Sequence, residues 1–316
     1  MKFFAKNIQT SKKPRIFFKL GLATIAAGIT FGSLTSCKTT YPTYDAAKKA
    51  YYSKFEQAGL NRGETFFESM EAHHLDSLKS AFQKNPQLYF DVFERIDAIA
   101  NGSAKLIIEN FWASGLVHIA IKNPEFFYNL VKMNVKNTQK GGKLSYEDEG
   151  GLNSILNVLG TNSMAAWALQ NQQKALNFLK EVPFWHYNLK AVFFHALYKE
   201  ENASKFVQNP QFYIHEFNSL EHFFAIDASE SRRLHLQSYG GVIYLNMFFA
   251  HPIAFRQLLE HMQGDNIAVT GLFYKYLRGG KIFEQFIKDP KEIILTLKKY
   301  PGEPKKAMEE LAKKYF

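Results

Sequence analysis

The chain has 316 residues, 46% hydrophobic and 22% charged, with 39 Lys and Arg against 29 Asp and Glu, a formal net charge of +10. Six of those positive charges (Lys2, Lys6, Lys12, Lys13, Arg15 and Lys19) stand before Leu20 with no acid among them, so residues 37–316 carry 33 positive and 29 negative groups, or +4. An excess that small is a solvated surface and excludes a nucleic-acid footprint, while the single cysteine excludes disulfides and cysteine-based metal sites.

In chain order, the basic first nineteen residues lead into an uncharged stretch of fifteen, Leu20 to Leu34 (LGLATIAAGITFGSL). A membrane-spanning helix needs about 20 apolar residues and the core of a secretory signal roughly 7–15, so the stretch has the length of a signal core. It runs into Leu34-Thr35-Ser36-Cys37, which resembles the lipobox of bacterial lipoproteins. The resemblance covers residues 1–37 only. It implies that residues 1–36 are a signal peptide removed on export and that the Cys37 thiol carries diacylglycerol. Each buried methylene contributes about 0.8 kcal/mol, so the two or more acyl chains of that class hold stably where one holds marginally. Lys38 is not the Asp that favours inner-membrane retention in proteobacterial lipoproteins, so the resemblance points to the outer membrane of a bacterial cell envelope.

Residues 37–43 then form a lipidated cysteine and a short polar tether with Pro42. From Asp45, read as the cap of AAKKAYYSKFEQAGL, nearly everything has helical periodicity, and no stretch alternates with the period of two that a half-buried strand requires. The spacing predicts an all-α chain. Six times an apolar run ends in a capping residue, usually followed by proline: Asn85-Pro86, Asn123-Pro124, Asn171-Gln172, Asn209-Pro210, His251-Pro252 and Asp289-Pro290, at steps of 38, 48, 38, 42 and 38 residues. Asn or Asp at an N-cap accepts from a free N–H of the first turn, and proline in the first turn lacks only a donor that has no partner there.

The flanking pattern recurs with the caps. The third residue beyond the proline position is apolar in all six units (Tyr89, Phe127, Ala175, Tyr213, Phe255, Ile293), and so is the seventh (Phe93, Val131, Leu179, Phe217, Leu259, Leu297). These positions share one helical face. A unit of about 40 residues made of two such helices buries its apolar face only against neighbours, which predicts an α-solenoid-like stack of helical hairpins over residues 44–302. Residues 303–316 read as a polar capping helix.

Candidate sites follow from what the repeat leaves over. Phe126-Phe127-Tyr128, Phe184-Trp185-His186-Tyr187 and Phe193-Phe194-His195 either line a groove for a peptide or glycan or, since they fall on the repeat faces, are core. Adjacent large rings cannot all point inward, so Trp185 and Tyr187 are the first candidates for a partner groove. Thr138–Gly150 coincides with the longest step and carries Lys140, Lys143, Glu147, Asp148 and Glu149, an exposed loop that either meets a partner or is a plain insertion. His215 and His222 lie seven apart with Glu216 and Glu221 nearby, but zinc needs three or four converging ligands and no HExxH occurs, so no metal and no cofactor is expected. Glu68-Ser69 in FFESMEAHH resembles the Glu-Ser of lytic transglycosylases, which implies Glu68 as a catalytic acid acting on peptidoglycan. That resemblance covers two residues, and the Gly-rich and Leu-Met-Gln segment that follows in those enzymes is absent. G-x-S-x-G, P-loop and G-x-G-x-x-G patterns are also absent.

Together these features predict a lipid-anchored envelope protein that holds a protein or peptide partner on a helical-repeat surface. A peptidoglycan-acting enzyme and an immunity or inhibitor lipoprotein are the alternatives.

Overall fold

Local start signals account for most of the helices. The structure, a computed structural model, describes residues 43–57, 65–99, 107–108, 114–134, 145–182, 189–220, 239–261 and 280–315. Every element among them is helical. Helices α1 (Tyr44–Gln57) and α2 (Phe66–Ala72) precede a hairpin of α3 (Asp76–Lys84) and α4 (Pro86–Ile99), then one of α5 (Ser114–Lys122) and α6 (Pro124–Asn134). After α7 (Tyr146–Val158) comes the hairpin α8 (Asn162–Gln170) and α9 (Gln172–Leu179); after α10 (Leu189–Ala196), the hairpin α11 (Glu200–Gln208) and α12 (Pro210–Asn218). The hairpins α13 (Tyr239–Ala250) with α14 (Pro252–His261) and α15 (Lys281–Lys288) with α16 (Lys291–Lys299) lead to α17 (Pro304–Tyr315).

The six cap positions each fall between the two helices of a hairpin. Asn85, Asn123 and Asn209 accept from the backbone N–H of Leu88, Phe126 and Phe212 at 3.4, 2.9 and 3.2 Å, and Asp289 accepts from Lys291 at 3.0 Å. Two positions depart from the pattern. The Asn171 amide turns back and donates to the Trp167 carbonyl at 3.1 Å, closing the helix before it. The His251 ring leaves its own turn for the carbonyl of Ile287, 2.9 Å away. At the first helix the cap is Thr43, whose hydroxyl accepts from Ala46 at 3.2 Å, and Asp45 sits in the first turn instead. The stretch Thr138–Gly150 is not loop throughout, because Ser145 accepts from the Asp148 N–H at 3.2 Å and starts α7 there.

The periodic faces make the core. All six residues four before the proline position (Phe82, Ala120, Ala168, Phe206, Phe248, Phe286) are fully buried, as are the six at the seventh position beyond it, or nearly so. Phenylalanine supplies much of the contact: Phe66 meets Phe93 at 4.2 Å between ring centroids, and Phe82 meets Phe90 at 5.0 Å and Phe93 at 5.1 Å. Such pairs contribute about 0.5–1.5 kcal/mol each beyond area burial.

Neighbouring hairpins are joined in a regular order. The first helices of the hairpins, α3, α5, α8, α11, α13 and α15, each pack on the next in that sequence. Among the second helices, α4 packs on α6, α12 on α14 and α14 on α16, while α1 covers α4 and α17 covers α16. The end of each first helix leaves carbonyls without intrahelical donors, and the preceding hairpin supplies some of them. The Tyr89 hydroxyl donates to the Ile121 carbonyl at 2.6 Å and the Tyr213 hydroxyl to that of Phe249 at 3.4 Å. Both run from the third residue beyond one proline position to the third before the next. Where that position is Phe255, which has no hydroxyl, the His251 ring takes over against Ile287. Glu200 makes a further join, its carboxylate accepting from the Asn162 and Ser163 N–H groups at the start of α8 at 2.7 and 3.0 Å. An anion there suits the positive end of the helix dipole.

Candidate functional site

The turn after α9, the start of α10 and the last turn of α12 come together around a cleft of about 340 Å³, lined by Phe178, Glu181, Lys190, Phe193, Phe194, Ile214, Phe217 and Asn218. Its floor is aromatic because Phe178 of α9, Phe193 and Phe194 of α10 and Phe217 of α12 meet there. Phe178 lies 5.0 Å from Phe194, Phe193 lies 5.7 Å from Phe194 edge-on, and Phe193 lies 4.5 Å from Phe217. Phe206 backs Phe178 at 5.0 Å and Trp167 backs Phe206 at 6.1 Å, so the floor is held by rings that are themselves packed. At the rim Lys190 donates to the Glu181 carboxylate, and Asn218 is exposed beside them. A volume of that size lies within the range of small-ligand pockets, roughly 300–1,000 Å³. It admits one large apolar side chain, with the rim pair and the carboxamide left to meet polar groups around it. The titratable groups among the described lining residues are Glu181 and Lys190, which are paired with each other.

A second polar cluster lies where α1 and α2 cover α4. Glu68 is half-buried in the first turn of α2, which Thr65 caps by accepting from the Glu68 N–H at 3.3 Å, and its carboxylate accepts from the Tyr52 hydroxyl at 2.5 Å. One turn on, Glu71 accepts from Lys48 at 2.9 Å and pairs with Lys79 at 3.2 Å. Desolvation opposes the Glu71 charge, but the two lysines outweigh it and hold the carboxyl below its ordinary range. Burial, helped by the charges of Glu71 and Asp45, pushes the Tyr44 phenol up to about 12. Beneath them Asp97 of α4 is buried, accepting from the Tyr51 hydroxyl and, at 2.9 Å, from the Phe66 N–H. Glu68 stands on α2, ahead of the first hairpin, and the aromatic cleft is formed by α9, α10 and α12.

No family model, no curated protein and no solved structure matches the chain. Its own residues therefore carry any functional reading.

The residues singled out by sequence divide unevenly. Cys37, Trp185, Tyr187, Lys140, Lys143 and His222 lie outside the described residues, as does the side chain of Glu147. Asp148 is buried in the first turn of α7 and Glu149 is exposed beside it. His215 is exposed on α12, whereas Glu216 is buried and pairs with Arg256 of α14 at 3.8 Å. Among the described residues no three His, Cys, Asp or Glu side chains converge as a metal site would require, and no helix is long and apolar enough to cross a membrane. Phe126 and Phe127 are core. Phe193 and Phe194, read as core, are buried but also form the cleft floor, and Phe178, Ile214 and Asn218 were not marked by any sequence pattern. Their signal is spatial, three helices apart in the chain.

Proposed function

We propose that the protein is a lipid-anchored scaffold of the bacterial cell envelope, tethered through Cys37 and holding a protein or peptide partner on an α-solenoid-like stack of hairpins. The order in which first helices pack on one another, and the tyrosine bonds that recur at equivalent positions, support the stack. The aromatic cleft with its polar rim carries the binding reading: a large apolar side chain buried there contributes roughly 1.5–3 kcal/mol, enough to anchor a longer contact. The Leu34-Thr35-Ser36-Cys37 run supports the tether, and the six unopposed charges before it support export.

Two variants test the reading together. Metabolic labelling with an alkyne fatty acid marks the wild type, and Cys37→Ala loses both label and membrane fraction. Affinity capture from solubilised envelopes, with Ile214→Arg as the control that fills the cleft, retains a defined partner at least tenfold better on the wild type. Equal capture by both, with an unchanged helical circular dichroism spectrum, refutes the cleft as the binding site.

A further inference from the structure

Asp97 is the residue whose placement no part of the proposed function uses. It lies in the last turns of α4, 2% exposed, among Phe66, Phe93 and Tyr51. Its two oxygens are held by two different elements: Oδ2 by the Tyr51 hydroxyl of α1 and Oδ1 by the Phe66 N–H at the start of α2. One buried carboxyl thus joins the two N-terminal helices to the first hairpin. We propose that Asp97 is a proton-operated latch, which keeps α1 and α2 closed on α4 while it is protonated and releases them when it ionises.

The surrounding charges fit this role. On α1 the facing group is Tyr51, whose phenol burial and the adjacent carboxyl push well above its usual range; the Phe67 N–H and the Thr65 hydroxyl of α2 work the other way. On α4 itself Glu94 adds a like charge, and it is paired with Lys54 of α1 at 2.7 Å. On α2 Glu68 is taken by Tyr52 and Glu71 by Lys48 and Lys79, and toward α6 Arg95 is taken by Glu125. Among the described residues, no cation in these pairings stands against Asp97. Burial raises its carboxyl from 3.8 to about 7, against the pull of the hydrogen bonds from Tyr51 and Phe66.

The sign of the effect follows from linkage. The closed form binds a proton up to about pH 7, whereas an opened α1–α2 returns the carboxyl to water and to its ordinary value near 3.8. The closed form gains on the open one wherever it alone is protonated, so opening grows about tenfold per pH unit from about pH 4 to 7 and levels off above. Acidification closes the latch. If Cys37 is acylated, as proposed above, release also lengthens the tether: residues 37–43 span roughly 25 Å at most, and residues 37–72 roughly 120 Å at full extension.

Hydrogen–deuterium exchange of the purified full chain in detergent, at pH 5, 6, 7 and 8 and corrected for intrinsic rates, tests the latch without depending on the anchor. Protection of 44–57 and 66–72 should fall about tenfold per unit up to pH 7 and then stay level, with protection of 291–299 unaffected. Asp97→Asn should abolish the slope. Tyr51→Phe, which removes a donor to the carboxylate, should move the plateau to higher pH and decides the matter if the first variant does not fold. An unchanged slope in Asp97→Asn, an unmoved plateau in Tyr51→Phe, or an equal slope at 291–299 in the wild type overturns the proposal.

Discussion

Single side chains do unequal work at equivalent places in this chain. The third position beyond each proline reads simply as apolar, yet Tyr89 spends its hydroxyl on the Ile121 carbonyl at 2.6 Å while Phe127 and Phe255 at the same position have nothing to give. A buried neutral hydrogen bond of that kind contributes about 1 kcal/mol net. Tyr89→Phe should therefore lower urea stability by about that much without changing the slope of the transition. Tyr213→Phe, acting on a bond of 3.4 Å, should lower it less. Equal and negligible losses in both would mean that these hydroxyls are incidental. Ring size at these positions was legible in the sequence as part of a helical stripe; the destination of the hydroxyl was not, because its acceptor belongs to a hairpin more than thirty residues further on.

At the scale of the element, the caps show how far a local signal reaches. Asn followed by proline marks a helix start with a mechanism contained in four residues, and Asn85, Asn123 and Asn209 perform it. Asn171, followed by Gln172, has the right side chain but bonds the helix behind it. The contrast can be measured. Asn123→Ala removes a first-turn acceptor and should cost about 1 kcal/mol in thermal or urea denaturation. Asn171→Ala leaves the first turn of α9 as it was and should cost clearly less. The same reasoning explains the end of the stretch Thr138–Gly150: its charges suggest a loop, but Ser145, three residues ahead of Asp148, is a cap, and α7 follows from it. In α2 the candidate acid Glu68 is likewise placed by its capping residue, Thr65, and then engaged by Tyr52, a residue from another helix.

For the whole molecule, what matters is that each hairpin meets chiefly its sequence neighbours. In the stack proposed above, stability is close to a sum of unit and interface contributions. Phe286 is fully buried in α15, and Phe286→Ala leaves a cavity of the kind that costs about 3–5 kcal/mol. Hydrogen exchange should then show α15, α16 and α17 losing protection while α4 keeps its own. Uniform loss of protection from α4 to α17 would instead show one cooperative unit and would count against the stack proposed above. The aromatic cleft also belongs to this scale, since α9, α10 and α12 must all be in place before the gap between Phe178, Phe194 and Phe217 exists.

The amino-acid sequence alone determines the helical class, the hairpin punctuation at six positions and the identity of the buried faces, because caps act over four residues and periodicity over two turns. Tertiary structure decides where chemistry collects. The cleft requires rings from α9, α10 and α12 to meet without filling the space between them, which no local pattern encodes. Asp97 is one acid among 29 Asp and Glu in the sequence, and it becomes distinct only when Tyr51 and Phe66, 46 and 31 residues away, close over it. Burial is a property of the company a residue keeps in space, and desolvation has no counterpart along the chain.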